Sequence, residues 1–187
     1  MTSISAPLTR TAIHFGTDGW RAVISDEFTF SNVRQVAQAI AQWTLDLQAA
    51  NGAEGVVIGF DTRFLSDRYA IEVARVLAGN GLRVFLTHNF TPTPAVSWAV
   101  RSRHAAAGVM ITASHNPPRY NGIKVKASHG GSALPSETAI IEGYLQDNLA
   151  AGREPQRTAY EPPRQDNGEW PQHPLIERIN VMPGYLA

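Results

Sequence analysis

Between Ser31 and Leu149 the chain alternates two kinds of segment: a stretch whose apolar residues recur at helical spacing, then a short apolar run. Val33, Val36, Ala37, Ile40, Thr44 and Leu47 share one helical face after Ser31, which is placed to cap it. Gly52 and Gly55 break that helix, and VVIGF (56–60) reads as a short apolar strand. A second helix opens at Asp67, carries Ile71, Ala74 and Leu77 on one face, and stops at Gly79-Asn80-Gly81. RVFLT (83–87) is the next strand, and Pro94 sits in the first turn of a third helix over 91–103. GVMIT (108–112) is almost wholly apolar, as a strand covered on both faces is. Ile123 and Val125 alternate with Lys124 and Lys126 in a half-buried strand (122–127), and a last helix runs from Pro135 to Leu149. Strands and helices taken in turn predict an α/β layer sandwich.

The flanks differ from this core. Residues 1–12 are a Ser/Thr-rich arm expected to be loose, and 13–149 hold the domain. Residues 150–187 contain half of the 12 prolines and read as a linker or extended crossover leading into a further domain. A length of 187 residues suits one well-buried domain. The 16 basic and 16 acidic side chains cancel, so nothing points to nucleic acid or an anionic membrane surface. No window approaches the ~18 consecutive apolar residues of a spanning helix, and the first residues lack the apolar core of a secretory signal. With no cysteine there is no disulfide, thiolate metal site or cysteine nucleophile, which agrees with a cytoplasmic location.

Two segments carry chemistry. In HFGTDGWRAVI (14–24), two glycines flank Thr17-Asp18 and let the main chain approach a ligand, with Arg21 as a fork-shaped phosphate clamp. Taken alone, a hairpin turn in which Asp18 and Arg21 satisfy each other is the simpler account. In ITASHNPPRYNGIKVK (111–126), Ser114 follows an apolar strand, where α/β folds place ligand-handling loops, and Pro117-Pro118 stiffen the loop. A serine hydroxyl needs a base or a cation to become a nucleophile, and His115 and Lys124 are the candidates. A serine hydrolase is disfavoured because Thr112 and Asn116 stand where the G-x-S-x-G elbow has glycines. Phosphoryl transfer through Ser114 and an ordinary polar turn both remain open on the residues alone.

FGTDGWR (15–21), GFDTR (59–63), TPTPA (91–95) and TASHNPPRYNGIKVK (112–126) together resemble the α-D-phosphohexomutases, the phosphoglucomutase/phosphomannomutase superfamily, over residues 13–149. The resemblance implies that family's first domain, a three-layer α/β/α sandwich with a mixed, mostly parallel sheet. It implies that Ser114 is the phosphorylated serine and Lys124 the general acid/base. His115 and Asn116 become loop residues that position the serine and meet substrate, and Arg21 faces the active-site phosphate. Asp61 and Arg63 look like a paired scaffold, and Lys126 is expected to be an exposed strand lysine without a role.

The implied reaction moves phosphate between C1 and C6 of a hexose phosphate through a phosphoserine and a hexose bisphosphate. Mg²⁺ would be held by the Ser114 phosphate and by an aspartate cluster of a second domain. That cluster is absent here, Asp147 and Asp166 standing alone, so a single domain inactive by itself, with the remaining domains of a parent chain as partners, is expected. Tyr120 favours glucose or mannose phosphates. The rival is a non-catalytic sugar-phosphate-binding or assembly module of the same fold, against which the presence of Ser114, Lys124 and Arg21 counts.

Overall fold

The computed structural model describes residues 13–163 and 168–187; the expected loose arm (1–12) and Asp166 lie outside them. Among the described residues, six strands form one mixed sheet in the order β1-β5-β4-β2-β3-β6. They are β1 (Gly19–Val23), β2 (Val56–Phe60), β3 (Val84–Thr87), β4 (Ala107–Ile111), β5 (Tyr120–Ala127) and β6 (Ile176–Ile179). The run β4, β2, β3, β6 is parallel, whereas β5 pairs antiparallel with both β4 and β1. Helices α1 (Phe30–Asn51), α2 (Ser66–Gly79) and α4 (Pro135–Ala150) cover one face; α3 (Thr93–Ser102) and the short α5 (Met182–Leu186) lie on the other. The three-layer α/β/α architecture with a mostly parallel sheet is therefore present.

Burial explains the layering. Every residue of β2 and β4 is buried, because each strand has helices above and below. Ile58, Ile111, Ile123 and Val125 join the core with α1, α2 and α4, while Val57, Phe85 and Met110 join a second cluster with α3. Gly59 makes that second packing close: a Cβ there would sit 2.4 Å from Val96 Cγ2. Trp43 is core, and Trp98 is partly exposed against Gly184 of α5.

Local details differ from the sequence expectations. Thr29, not Ser31, caps α1: its backbone is extended and its Oγ1 accepts the Asn32 N–H at 3.2 Å. α2 begins at Ser66 behind Leu65 in the left-handed region (φ 60°), since Asp61 ties the preceding loop back through the Arg63 N–H and the Ser66 hydroxyl. GWRAV is a strand instead of half of a local hairpin; its partner is β5, about a hundred residues on. The segment read as a linker supplies β6, which closes the sheet beside β3.

The strap that leads to β6 is pinned by charge. Glu72 of α2, only 6% exposed, meets Arg34 Nε at 2.6 Å, Arg75 Nη1 at 2.7 Å and Arg157 Nη1 of the strap at 3.3 Å. Thr158 N–H donates to Arg75 O at 3.0 Å, and Gln156 N–H to Gln38 Oε1 at 3.0 Å. Burial pushes the Glu72 carboxyl up, but the Arg34 hydrogen bond and the charges of Arg75, Arg34 and Arg157 together hold it below the usual range. A depressed carboxyl stabilises the fold above its unfolded pKa and loses that contribution as pH falls through the folded value. Glu72→Gln is thus expected to cost about 2–3 kcal/mol at pH 7 in urea unfolding, with the gap to the unaltered protein closing in acid. A pH-independent difference would contradict the role given to the charge.

Candidate active site

Helix α2 follows β2 on one face and α3 follows β3 on the other, so the sheet's connections diverge between β2 and β4. A crevice at the carboxyl ends of such strands is where open α/β sheets take ligands. The loops meeting there are 61–65 after β2 and 112–119 after β4, the second carrying Ser114.

Ser114 is exposed, and its backbone is left-handed (φ 57°), a conformation unusual for a residue with a Cβ. Its own loop contributes to holding it: the Ser114 N–H donates to Thr112 Oγ1 at 3.0 Å, and the Asn116 N–H to Ala113 O at 3.0 Å. Arg63 contributes the rest. Its Nη2 donates to Ser114 O and Asn116 O, both at 2.8 Å, and its Nη1 to Pro117 O at 3.0 Å and Tyr120 O at 3.1 Å. Its Nε lies 3.3 Å from Asp61 Oδ2. One planar guanidinium therefore spans three carbonyls of the serine loop and the first of β5, which a point-charge ammonium cannot do.

Asp61 is fixed in turn. Its Oδ1 accepts the Arg63 N–H at 3.0 Å and the Ser66 hydroxyl at 2.9 Å, and Ser66 Oγ accepts Asn121 Nδ2 at 2.9 Å. Ser66 and Asn121 are fully buried. The Asp61–Arg63 scaffold has the geometry the sequence suggested, but Ser66 and Asn121 were missed. Asn121 looked like a turn residue because turns and buried amide pairs use the same side chain.

The second half of the site lies on the α3 face of β1 and β5. Arg21 pairs across the strands with Gly122, Lys124 with Met110, and Lys126 with Gly108. Met110 belongs to the cluster beneath α3, which places all three cations on that face. α3 packs over β2 and β4 and reaches only the near side of β5, so the far edge of this face is polar. Gly19 must be glycine here: φ is +153° and a Cβ would stand 2.0 Å from Ile123 O. That tight pairing presents Asp18 to Lys124, Oδ2 to Nζ at 2.9 Å.

Arg21 bridges the two halves. Its Nη1 donates to Asn116 Oδ1 at 3.3 Å and its Nη2 lies 3.4 Å from Asp18 Oδ1. Burial raises the Asp18 carboxyl, but the Lys124 hydrogen bond and the charges of Lys124, Arg21 and Lys126 outweigh it, leaving the group below the ordinary carboxylate range. Asp18 therefore does pair with Arg21, as the simpler account had it, and also reaches Lys124, which no local pattern disclosed.

Of the residues singled out by sequence, Arg21 and Asn116 touch directly, and Lys124 is tied to them through Asp18. His115 is exposed, and among the described residues neither it nor Lys124 makes a hydrogen bond or ion pair to Ser114. Lys126 is not the exposed lysine expected: it is buried beside Gly108 with its Nζ 3.3 Å from Ser132 Oγ. Among the described residues no group of three or more His, Asp or Glu side chains could hold a metal ion. Both carboxylates of this region, Asp18 and Asp61, are already engaged by cations, so these residues alone do not make a magnesium site. No helix among them is long and apolar enough to cross a membrane.

Residues 12–151 match the family model for phosphoglucomutase/phosphomannomutase, alpha/beta/alpha domain I. A phosphoglucomutase of Staphylococcus saprophyticus is 42% identical over 139 residues, covering 71% of this chain and 24% of the relative. A probable phosphoribomutase of Schizosaccharomyces pombe is 39% identical over 140 residues, covering 73% and 24%. Among solved structures, a protein of Thermus thermophilus provisionally described as a phosphomannomutase superposes with a TM-score of 0.68. It is 44% identical, over 72% of this chain and 30% of that one. A phosphoglucomutase/phosphomannomutase family protein of Burkholderia thailandensis, 20% identical, shares the fold with a TM-score of 0.67 over 91% of this chain and 33% of that one. The chain spans about a quarter of the length of the curated relatives it matches.

Proposed function

The chain belongs to the phosphoglucomutase/phosphomannomutase family, and we propose that it is the phosphoserine-bearing first domain of an enzyme moving phosphate between C1 and C6 of a hexose phosphate. The observation that carries this is Ser114. Its hydroxyl is exposed at the carboxyl end of β4, on a left-handed backbone clamped by Arg63, beside an Arg21–Asn116 pair. Rigid presentation of one hydroxyl beside fixed cations suits a reaction whose demands are positioning and neutralisation of charge.

In the proposed cycle the phosphorus–oxygen bond at Ser114 breaks as one to the free sugar hydroxyl forms, giving a hexose bisphosphate. The sugar turns over, and Ser114 Oγ then takes up the other phosphate. Lys124 relays the proton: its ammonium protonates the departing Ser114 Oγ as that phosphorus–oxygen bond breaks and recovers a proton from the attacking sugar hydroxyl, while its ion pair with Asp18 holds it in place. Arg21 offers its planar fork to the phosphate, with Asn116 setting its angle. His115, exposed on the same loop, is assigned to substrate contact. A magnesium ion would meet this chain at the Ser114 phosphate, take its other ligands from a further domain, and supply neutralisation of the phosphoserine charge there. The sugar-binding apparatus is likewise assigned to further domains, and the setting to the cytoplasm.

Relatives named for glucose, mannose and ribose phosphates make the class sugar phosphate; Tyr120, at the start of β5, favours hexose. A coupled assay on glucose 1-phosphate, mannose 1-phosphate and ribose 1-phosphate tests this. The full-length protein is expected to convert a hexose phosphate fastest, and the 187-residue chain to fold without turnover. Substantial activity in the short chain, or none in the full-length protein, would sink the proposal.

A further inference from the structure

Arg178 is a cation that the serine site does not explain. It lies in β6 two residues from Ile176, which belongs to the core under α1 and α2, so it stands on the face of the sheet opposite Arg21 and Lys124. Among the described arginines that are not exposed, Arg178 alone has no carboxylate within ion-pair distance; Arg21, Arg34, Arg63 and Arg75 each have one. For its five N–H donors it has one acceptor among the described residues, His88 O, 2.7 Å from Nη2, and its Nε is buried with none. The Trp170 ring covers the guanidinium at 3.9 Å. Tyr160 also acts on it, but burial raises the Tyr160 pKa, so this buried hydroxyl, itself without a partner, brings no negative charge at neutral pH. A half-buried guanidinium held by one carbonyl and one ring is left with desolvation that an anion would offset.

Arg178 also lines a cavity of about 320 Å³ at the carboxyl ends of β2, β3 and β6. Phe60, Ile71, Phe90 and Trp170 make its apolar wall, and Thr62 and Asn89 add exposed polar groups. Phe90 meets Phe60 edge to face at 5.8 Å yet remains 58% exposed, an aromatic surface with no protein cover. Arg63 reaches the same cavity, but its guanidinium is committed to the serine loop. The one carboxylate among the described lining residues, Asp67, lies 3.5 Å from Arg68 Nε. Glu169 and Glu177 line a neighbouring cavity of about 730 Å³ that shares Arg178, and neither pairs with it; Glu177 is taken by Arg83 and Arg103. The smaller cavity therefore joins an unpaired cation to an aromatic wall, at the lower end of the size range of small-molecule sites.

We propose that this cavity binds a small organic oxyanion, with its phosphoryl or carboxylate group on the Arg178 fork and its apolar body against Phe60, Phe90 and Ile71. A neutral ligand would leave the guanidinium without acceptors, and a bare inorganic ion would leave the aromatic wall unused. Arg178 and Trp170 lie beyond residues 12–151, which match the family model, so membership of the family does not by itself supply the site.

The four tryptophans of the chain give four ¹⁹F signals when replaced by 5-fluorotryptophan, and Trp170→Phe assigns the one that reports on Arg178. Phenyl phosphate and benzoate serve as probes, with inorganic phosphate and neutral benzyl alcohol beside them. At least one aromatic anion is expected to move the Trp170 signal saturably, more tightly than inorganic phosphate does, while benzyl alcohol leaves it in place. Whichever aromatic anion binds tighter names the head group, and either order supports the site. Arg178→Met should fold, because no carboxylate loses a partner, and should weaken aromatic-anion binding about 10- to 100-fold. Phe90→Ser, at an exposed position, should weaken the aromatic anions several-fold and leave inorganic phosphate unchanged. An unmoved Trp170 signal in the unaltered chain overturns the proposal, whether or not the variants fold. So do equal binding of benzyl alcohol or inorganic phosphate, and undiminished affinity in folded Arg178→Met. Phosphate held by Arg21 lies on the opposite face of the sheet from Trp170, so failure here leaves the role of Ser114 standing, and failure of that role leaves this site.

Discussion

Replacing Ser114 by alanine in the full-length protein is expected to abolish phosphoryl transfer, a fall on the order of 10⁴-fold or more. The reason is covalent: the phosphoryl group must reside on one oxygen between the two half-reactions, and no neighbouring hydroxyl can stand in. Thr112 Oγ1 accepts the Ser114 N–H, Ser66 is fully buried against Asp61 and Asn121, and Ser132 is engaged by Lys126. The fold should not notice. Ser114 is exposed, and alanine meets the same left-handed strain that serine already bears, so stability should stay within about 0.5 kcal/mol. Lost turnover with an unchanged melting curve would therefore be chemistry. Near-normal turnover would move the covalent role to another residue.

Arg63 should be nearly as sensitive, although it touches no reacting atom. Its side chain makes five polar contacts, three of them to carbonyls of the serine loop and one to the first carbonyl of β5. Arg63→Ala releases that loop and leaves Asp61 without its cation, and we expect a stability loss of about 2–4 kcal/mol. A serine displaced by even about 1 Å should lose roughly 100-fold in turnover. The loss should fall on kcat more than on KM, because Arg63 fixes the nucleophile and not the sugar. Arg63→Lys separates the explanations. If Arg63 supplied only positive charge, lysine would restore much of the rate; if the planar fork is what matters, lysine stays close to alanine. Rescue by lysine would contradict the clamp.

The central strands were legible because burial on both faces removes polar residues, as VVIGF and GVMIT show. β1 was not, since a five-residue strand with Arg21 in its middle has too little pattern to separate it from a turn. β6 hid for a related reason: IERI lies at the sheet's edge with two charged residues at its centre, inside a proline-rich stretch that resembles a linker. In the candidate site, the contact between Arg21 and Asn116 of the Ser114 loop joins residues that their motifs had singled out. Asp18's hold on Lys124 and the burial of Lys126 were not legible, because both arise from strand register and from Gly108, many residues away. An alternating Ile–Lys–Val–Lys strand looks solvent-facing until the opposite layer is known.

Site-resolved mass spectrometry of the full-length protein, after incubation with isotopically labelled hexose 1,6-bisphosphate, bears most directly on the phosphate-carrying role of Ser114. The expected result is about 80 Da of labelled phosphoryl group on the peptide containing Ser114, removed again by excess hexose monophosphate. Label on a different residue, or an unmodified Ser114 in a preparation that is turning over, would contradict it.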